Sequence, residues 1–368
     1  MKRKVGITLL LSLIVSTGCD DLHDKEIVNK VTATQETAGL YILSEGLFNM
    51  NNSTLAYYDF KTQKLETDYF LLMNQRGLGD TANDIKLYGS KLYIVVNVSS
   101  QIEVLDVHTG VCIKRIPLFS EHNIARQPRY ITFHEDKAYV CSFDGTVAKI
   151  DTASLQLEGF TKVGRHPDGL CVQNGKLYVS NSGGLDYPNY DNTVSVVDLA
   201  TFKEIKKITV RINPYKIHAD AYGDVYVVSR GNYGTIKYCL QRIDSRTDEL
   251  VQTFDNLEVL NFAIEGDNAY LYSYDFYKAT AWIKVFNVRT ERVERENFIT
   301  DSTTIDTPYG IDVNPVNGDV YITNAYSFTV WGDLLCFTKE GKLKFTLSNI
   351  GLNPNGTVFI QKNSSTEY

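Results

Sequence analysis

From about residue 39 onward, apolar and polar positions alternate in short runs separated by Asn, Asp and Gly. That period of two is the mark of half-buried strands joined by tight turns. One run recurs with Tyr in a fixed register: Lys91-Leu92-Tyr93, Lys137-Ala138-Tyr139, Lys176-Leu177-Tyr178, Asp224-Val225-Tyr226, Asn268-Ala269-Tyr270 and Asp319-Val320-Tyr321. Prolines at 128, 167, 214, 308 and 354 open the run that precedes it, separated by 39, 47, 94 and 46 residues. The interval of 94 holds two units, the second starting near Val259. Each unit reads as four antiparallel strands; in the one opening at Pro167 they fall at 169–172, 177–180, 193–198 and 206–210.

Four-stranded units at this period predict an all-β fold, a seven-bladed β-propeller. The first copy, Gly39–Ser44, begins at a second strand with no first strand ahead of it. The last, Asn353–Ile360, is a first strand with nothing following. The two ends are therefore expected to share one blade, 39–70 with 352–361, with the C-terminal strand innermost beside Leu40–Ser44. Six further blades start near Ala82, Pro128, Pro167, Pro214, Val259 and Pro308. Closing the ring in this way removes two exposed strand edges that would otherwise invite aggregation.

Because each strand of a blade reverses the one before, the turns divide between two faces. Turns after first and third strands are short and polar, such as Asn174-Gly175, Gly266-Asp267 and Asp151–Ser154, so one face reads as scaffold. Loops after second strands are long and aromatic: 45–52, 181–192, 230–234, 274–278 and 324–331. Aromatic side chains in loops lose solvation unless they pack or bind something. The candidate ligand-binding loop residues are Phe48, Asn49, Tyr187, Tyr190, Arg230 and Tyr233, followed by Phe276, Tyr277, Tyr326, Phe328 and Trp331. The starts of the first strands add Asn83, Arg129, Asp168, Tyr215, Tyr309 and Asn355 nearest the axis, with Asp84, Tyr130, Lys216 and Asn261 beside them. Tyr, Trp, Asn and Arg around a funnel suit a bulky, partly apolar, hydrogen-bonding ligand. The alternative is that these side chains pack on one another to stiffen the face.

Composition changes little: 43% apolar and 22% charged residues are ordinary for a folded domain. The amino terminus changes more. Lys2-Arg3-Lys4 precedes an apolar run, Val5 to Val15, too short to span a bilayer, so residues 1–18 read as a signal peptide. The run ends in Ser16-Thr17-Gly18-Cys19, which resembles a bacterial lipobox and implies lipidation of Cys19. Cleavage would leave 34 basic residues against 44 acidic, a formal charge of −10 in place of −7. That balance argues against a nucleic-acid partner. Asp20-Asp21 with Asp24 and Glu26 resembles the acidic export signal of Bacteroidetes surface lipoproteins. Residues 19–38 then form lipidated anchor and tether, 39–361 the ring and 362–368 a tail.

Chemistry-bearing constellations are sparse. No nucleophile elbow, phosphate-cradling glycine loop or CxxC pair occurs, and no catalytic cofactor is implied. Propeller lactonases hold a metal at the axis; Glu45, Asn83, Asp84, Asp168 and Asn261 are the nearest candidates for such a site. His166 and His218 stand beside Pro or within strands, where histidines are commonly structural. Asp186, Asp191 and Asn192 offer oxygen ligands for calcium or an ordinary Asx-rich loop. Cys112, Cys141, Cys171, Cys239 and Cys336 fall in strands of different units and read as small buried residues, with a Cys141–Cys171 bridge left open. Asp151-Thr152-Ala153 resembles a Bacteroides O-glycosylation sequon on an exposed turn.

The Lys-Leu-Tyr-Val second strands, Asp-x-x-Thr turns and Pro-Asp-Gly starts resemble the YncE-like family of seven-bladed propellers over residues 39–361. With the lipobox and acidic signal, the chain is similar to surface lipoproteins of gut Bacteroides, in particular the BtuG type. That resemblance implies capture of cobalamin or a related corrinoid at the outer-membrane surface and transfer to a TonB-dependent, BtuB-like transporter, without catalysis. A glycan-binding or adhesion propeller and a metal-dependent lactonase-like hydrolase are the competing readings. The membrane would be met through the lipid anchor alone.

Overall fold

The computed structural model describes residues 37–362, and within them the alternating runs pair into seven four-stranded antiparallel sheets. Successive first strands pack side by side from Ala82–Tyr88 through Pro128–His134, Pro167–Gln173, Pro214–Ala219 and Asn261–Glu265 to Pro308–Val313. Pro354–Gln361 fills the remaining gap between the last and the first of these, so the circle is complete. We number the blades from the shared one.

Blade one has the order Pro354–Gln361, Thr37–Ser44, Thr54–Asp59, Lys64–Glu66, with the C-terminal strand innermost. Leu40 faces Phe359, Tyr41 faces Val358 and Ile42 faces Thr357 across this pair. Backbone closeness seals the joint: a Cβ on Gly310 of blade seven would come within 2.7 Å of the Asn355 carbonyl oxygen. The Asn355 amide then donates to the Ala82 carbonyl of blade two at 2.9 Å. The outer strand of blade one is short, and an unforeseen helix, Tyr69–Asn74, caps it. Phe70, fully buried, anchors that helix in the core between blades one and two.

The recurring Tyr has a structural reason. Its ring is buried between blades, and in three copies its hydroxyl donates to a backbone carbonyl in the next blade's turn between third and fourth strands. Tyr41 reaches Val107 at 3.0 Å, Tyr178 reaches Ser245 at 3.3 Å and Tyr226 reaches Val288 at 3.0 Å. These three fill the apolar interface and satisfy their own polar ends, as a buried Tyr favours, whereas the buried Tyr93 hydroxyl has no hydrogen-bond partner.

Several boundaries differ from expectation. Blade six starts at Asn261 rather than near Val259, and its second strand runs through Tyr274 and Asp275, leaving 276–279 as the loop. Trp331 opens the strand Trp331–Phe337 instead of ending a loop. Both extensions follow the same period-two alternation past the point where aromatic density suggested a loop. All five described cysteines are free, so Cys141 and Cys171 are not bridged; burial pushes the Cys141 thiol up to about 12. Thr152 is not exposed: it is 8% accessible, and its hydroxyl donates to the Asp136 carbonyl at 2.9 Å. Cys19, residues 1–18 and the acidic stretch lie outside the described residues.

Candidate functional site

The second residue of most inner strands points toward the axis at the loop-bearing end, and five such positions form the throat of a funnel. Asn83, Arg129, Tyr215, Tyr309 and Asn355 line it as anticipated, together with Tyr130, Lys216 and Glu45. The cavity they enclose measures about 240 Å³. Arg230, Tyr233, Phe276 and Phe328 reach it from the loops. Two axis candidates do not line it. Asp168, 1% accessible, lies behind the arginines. Asn261 turns to its own strand, accepting from the Phe262 amide and donating to the Tyr272 hydroxyl, and Leu260 takes its place at the wall.

One half of the wall is a continuous polar chain. The Tyr309 hydroxyl and the Asn83 amide both donate to the Glu45 carboxylate. Arg129 donates to Asn83 through one Nη and to Asp168 through Nε at 2.7 Å. Arg230 approaches the other Asp168 oxygen at 2.9 Å and Asn213 at 3.0 Å. One carboxylate thus serves two guanidiniums, a charge-assisted arrangement with both oxygens committed. Burial raises the Glu45 carboxyl above its usual range, opposed by Arg129 and by the bonds from Tyr309 and Asn83. Deeper in the channel, burial and then the nearby Lys86 and Lys216 hold His218 down to about 3, so the imidazole is neutral at pH 7. It packs edge-on against Phe262 at 4.9 Å, a structural role.

The other half is aromatic and comes from blades four to seven. Tyr187, Tyr190, Tyr233 and Tyr238 follow one another edge-to-face at 6.0, 6.1 and 6.3 Å between centroids. On the far side Tyr274 meets Phe276 at 4.8 Å, Phe276 stacks on Phe328 at 6.3 Å and Phe328 meets Tyr309 at 5.8 Å. Between the two series opens a second cavity of about 720 Å³, lined also by Trp282, Tyr277 and Lys237. It shares Tyr233, Tyr238, Tyr274 and Phe276 with the funnel. In blades two and three the loops after the second strands, 97–100 and 143–145, are short.

The remaining loop candidates stand apart from both cavities. Phe48 is 70% and Tyr187 74% accessible. Asn49 is held through its backbone amide by Asp80, and Tyr326 bonds Asp333 at 2.6 Å, both tying down loops. Trp331 pairs with Leu352 at the strand start. Sequence reasoning did not single out Tyr238, Tyr272 or Trp282. Tyr272 was legible, since it continues the Tyr270 alternation onto the axial end of its strand.

Metal-binding expectations find other partners. Among the described residues no group of three or more His, Cys, Asp or Glu side chains converges as a metal site. Asp84 accepts the Ile131 amide at 3.0 Å. Asp186 and Asp191 are both engaged by Arg165, at 2.5 and 3.7 Å, which closes that loop as an ion-paired clasp.

Compared with known proteins, residues 38–349 match the family described as "Domain of unknown function (DUF5074)". The chain belongs to this family. No curated protein matches the sequence. Among solved structures, a quinonprotein alcohol dehydrogenase-like protein from Bacteroides thetaiotaomicron is 18% identical, with TM-score 0.62 over 88% of this chain and 79% of that one. A functionally unknown protein from Desulfotomaculum acetoxidans is 11% identical, with TM-score 0.62 over 88% and 99%. Kuenenia stuttgartiensis hydrazine synthase is 17% identical, with TM-score 0.56 over 69% and 76%. At these identities the likeness is one of fold.

Proposed function

We propose that this DUF5074 ring is a non-catalytic capture protein of the bacterial surface. It would take a bulky ligand with an apolar body and hydrogen-bonding arms at its loop face. The observation that carries the reading is the junction of a polar funnel with an aromatic groove through four shared aromatic residues. Neither cavity alone would enclose a large molecule; together they offer an apolar bed beside a polar wall. A corrinoid, with its flat ring edge and amide arms, has that form. The resemblance to surface lipoproteins of the BtuG type supports the same ligand, as well as hand-over to a TonB-dependent transporter from a lipid anchor at Cys19. A preformed ring of packed blades loses little conformational entropy on binding, which favours tight capture.

Calorimetric titration of the purified chain with cyanocobalamin tests the proposal. Saturable heat and retention of colour on the protein support it; neither signal at millimolar ligand rejects it. A second reading, glycan binding, is favoured by one observation: Tyr277, 92% accessible, and Tyr187 present rings to solvent where sugars stack. A glycan array separates it from the first.

A further inference from the structure

The cations of the polar half-wall outnumber the anions available to them. Arg129 and Arg230 share Asp168, and Lys216 forms no ion pair among the described residues. Its ammonium sits 4.1 Å from the Tyr130 ring centroid and 5.4 Å from that of Tyr215, held by cation–π contact in place of a carboxylate. The Glu45 oxygens are both taken, one by Asn83 and one by Tyr309. Arg129, Arg230 and Lys216 thus stand at the throat with Asp168 and Glu45, and of the three cations only Lys216 has no carboxylate in ion-pair contact among the described residues. Lower in the channel Lys86 faces Asp84 at 3.6 Å, and Asp312, which accepts from the Thr357 amide and hydroxyl, feels the charges of Lys86 and Lys216 without an ion-pair contact to Lys216.

Donors are also in excess. The Arg230 Nε is buried without an acceptor. The Tyr130 and Tyr215 hydroxyls lie 3.0 Å apart; one donates to the other, which leaves a single hydroxyl hydrogen unspent. The ammonium without a carboxylate partner and the free hydroxyl proton, with the Arg230 guanidinium charge beside them, form a receptor for a group that accepts hydrogen bonds and carries negative charge. Stacking on Tyr130 and Tyr215 keeps Lys216 in place while empty, so the anion would find its partner preorganised.

We infer that the throat between blades three and five is an anion subsite, in which Lys216, Arg230 and the Tyr130–Tyr215 hydroxyl pair receive a carboxylate or phosphate group of the captured molecule. The inference rests on the reading of the funnel as a capture site and not on the identity of the ligand as a corrinoid.

The test uses the full chain and three probes of one size: benzoate, phenyl phosphate and benzamide, titrated at constant ionic strength. Either anion is expected to bind at least ~tenfold more tightly than the neutral amide, the worth of one charge-assisted contact. Lys216→Met, which breaks no ion pair, is expected to bring that preference down to about twofold or less with the melting temperature unchanged. Preference for phenyl phosphate over benzoate assigns the source as a phosphoryl group, and the reverse a carboxylate. Equal binding of benzamide and the anions, no saturable binding of either anion, or a preference that survives Lys216→Met overturns the inference. Failure of the capture reading looks different: a chain that discriminates benzoate from benzamide but ignores cyanocobalamin keeps the subsite and loses the corrinoid.

Discussion

The two half-walls of the funnel differ in what their side chains are already committed to. On the side of blades seven, one, two, three and four, Tyr309, Glu45, Asn83, Arg129 and Asp168 form an unbroken relay of hydrogen bonds and ion pairs. Tyr309, Asn83, Arg129 and Asp168 sit on inner strands and Glu45 directly after Thr37–Ser44, and each has a partner that would be stranded by its loss. On the side of blades five to seven, Tyr233, Tyr238, Tyr274, Phe276 and Phe328 touch one another through ring edges and faces and owe little to any single contact. A polar wall built this way is rigid and unforgiving. An aromatic one contributes mainly area, and its contacts can be redistributed around a guest.

Removing the shared anion should break the polar wall most severely. Asp168→Ala strands two guanidiniums in a desolvated site, and we expect a loss of ~3–5 kcal/mol in chemical denaturation, as for one partner of a buried ion pair. A loss below 1 kcal/mol would mean that the arginines reach water or each find another acceptor. Tyr309→Phe leaves one Glu45 oxygen without its donor and should cost about 1–3 kcal/mol by the same measurement.

A pH series sharpens the comparison at the floor of the channel. His218 is held at about 3 against an ordinary 6.5, so below pH 6.5 the unfolded chain takes up a proton that the folded chain refuses. Stability contributed by the neutral imidazole is therefore present above 6.5 and lost as pH falls toward 3. The expected slope is on the order of 1 kcal/mol per pH unit, and His218→Phe should remove it. An identical acid slope in that variant would assign the loss to other groups. Last comes the aromatic wall. Phe276→Ala should change stability by no more than about 0.5 kcal/mol, yet weaken ligand binding by at least ~1 kcal/mol in titration. If the stability loss matches that of Tyr309→Phe, the two half-walls are not the different materials described here.

How much of this was legible follows the same division. Tyr in a fixed register, the proline period and the orphan strands at either end announced the ring, its blade number and its closure, because each is a local pattern repeated. Asn83, Arg129, Tyr215, Tyr309 and Asn355 were found at the funnel by extending that register to the axis. Leu260 stands at the wall in place of Asn261, whose amide is spent on Phe262 and Tyr272, and Tyr274 proved to be strand because aromatic density imitates a loop. Phe48, Tyr326 and Trp331 carried the composition of a binding rim without its position. Nothing local marks which loop bends toward the axis and which folds back on Asp80 or Asp333.

Alternation and turn chemistry determined the strands, and repetition at a near-constant interval determined how they assemble, since every blade must bury the same two faces against its neighbours. Tertiary structure alone decided that Arg129 and Arg230, in blades three and five, would converge on Asp168. It decided likewise that Glu45 would meet Tyr309, 264 residues away, and that Lys216 would stand against the Tyr130 and Tyr215 rings. Those meetings occur between neighbouring blades around the axis, where the rotation of each blade about the ring brings equivalent positions together, and no period along the chain records which charge the next blade will present.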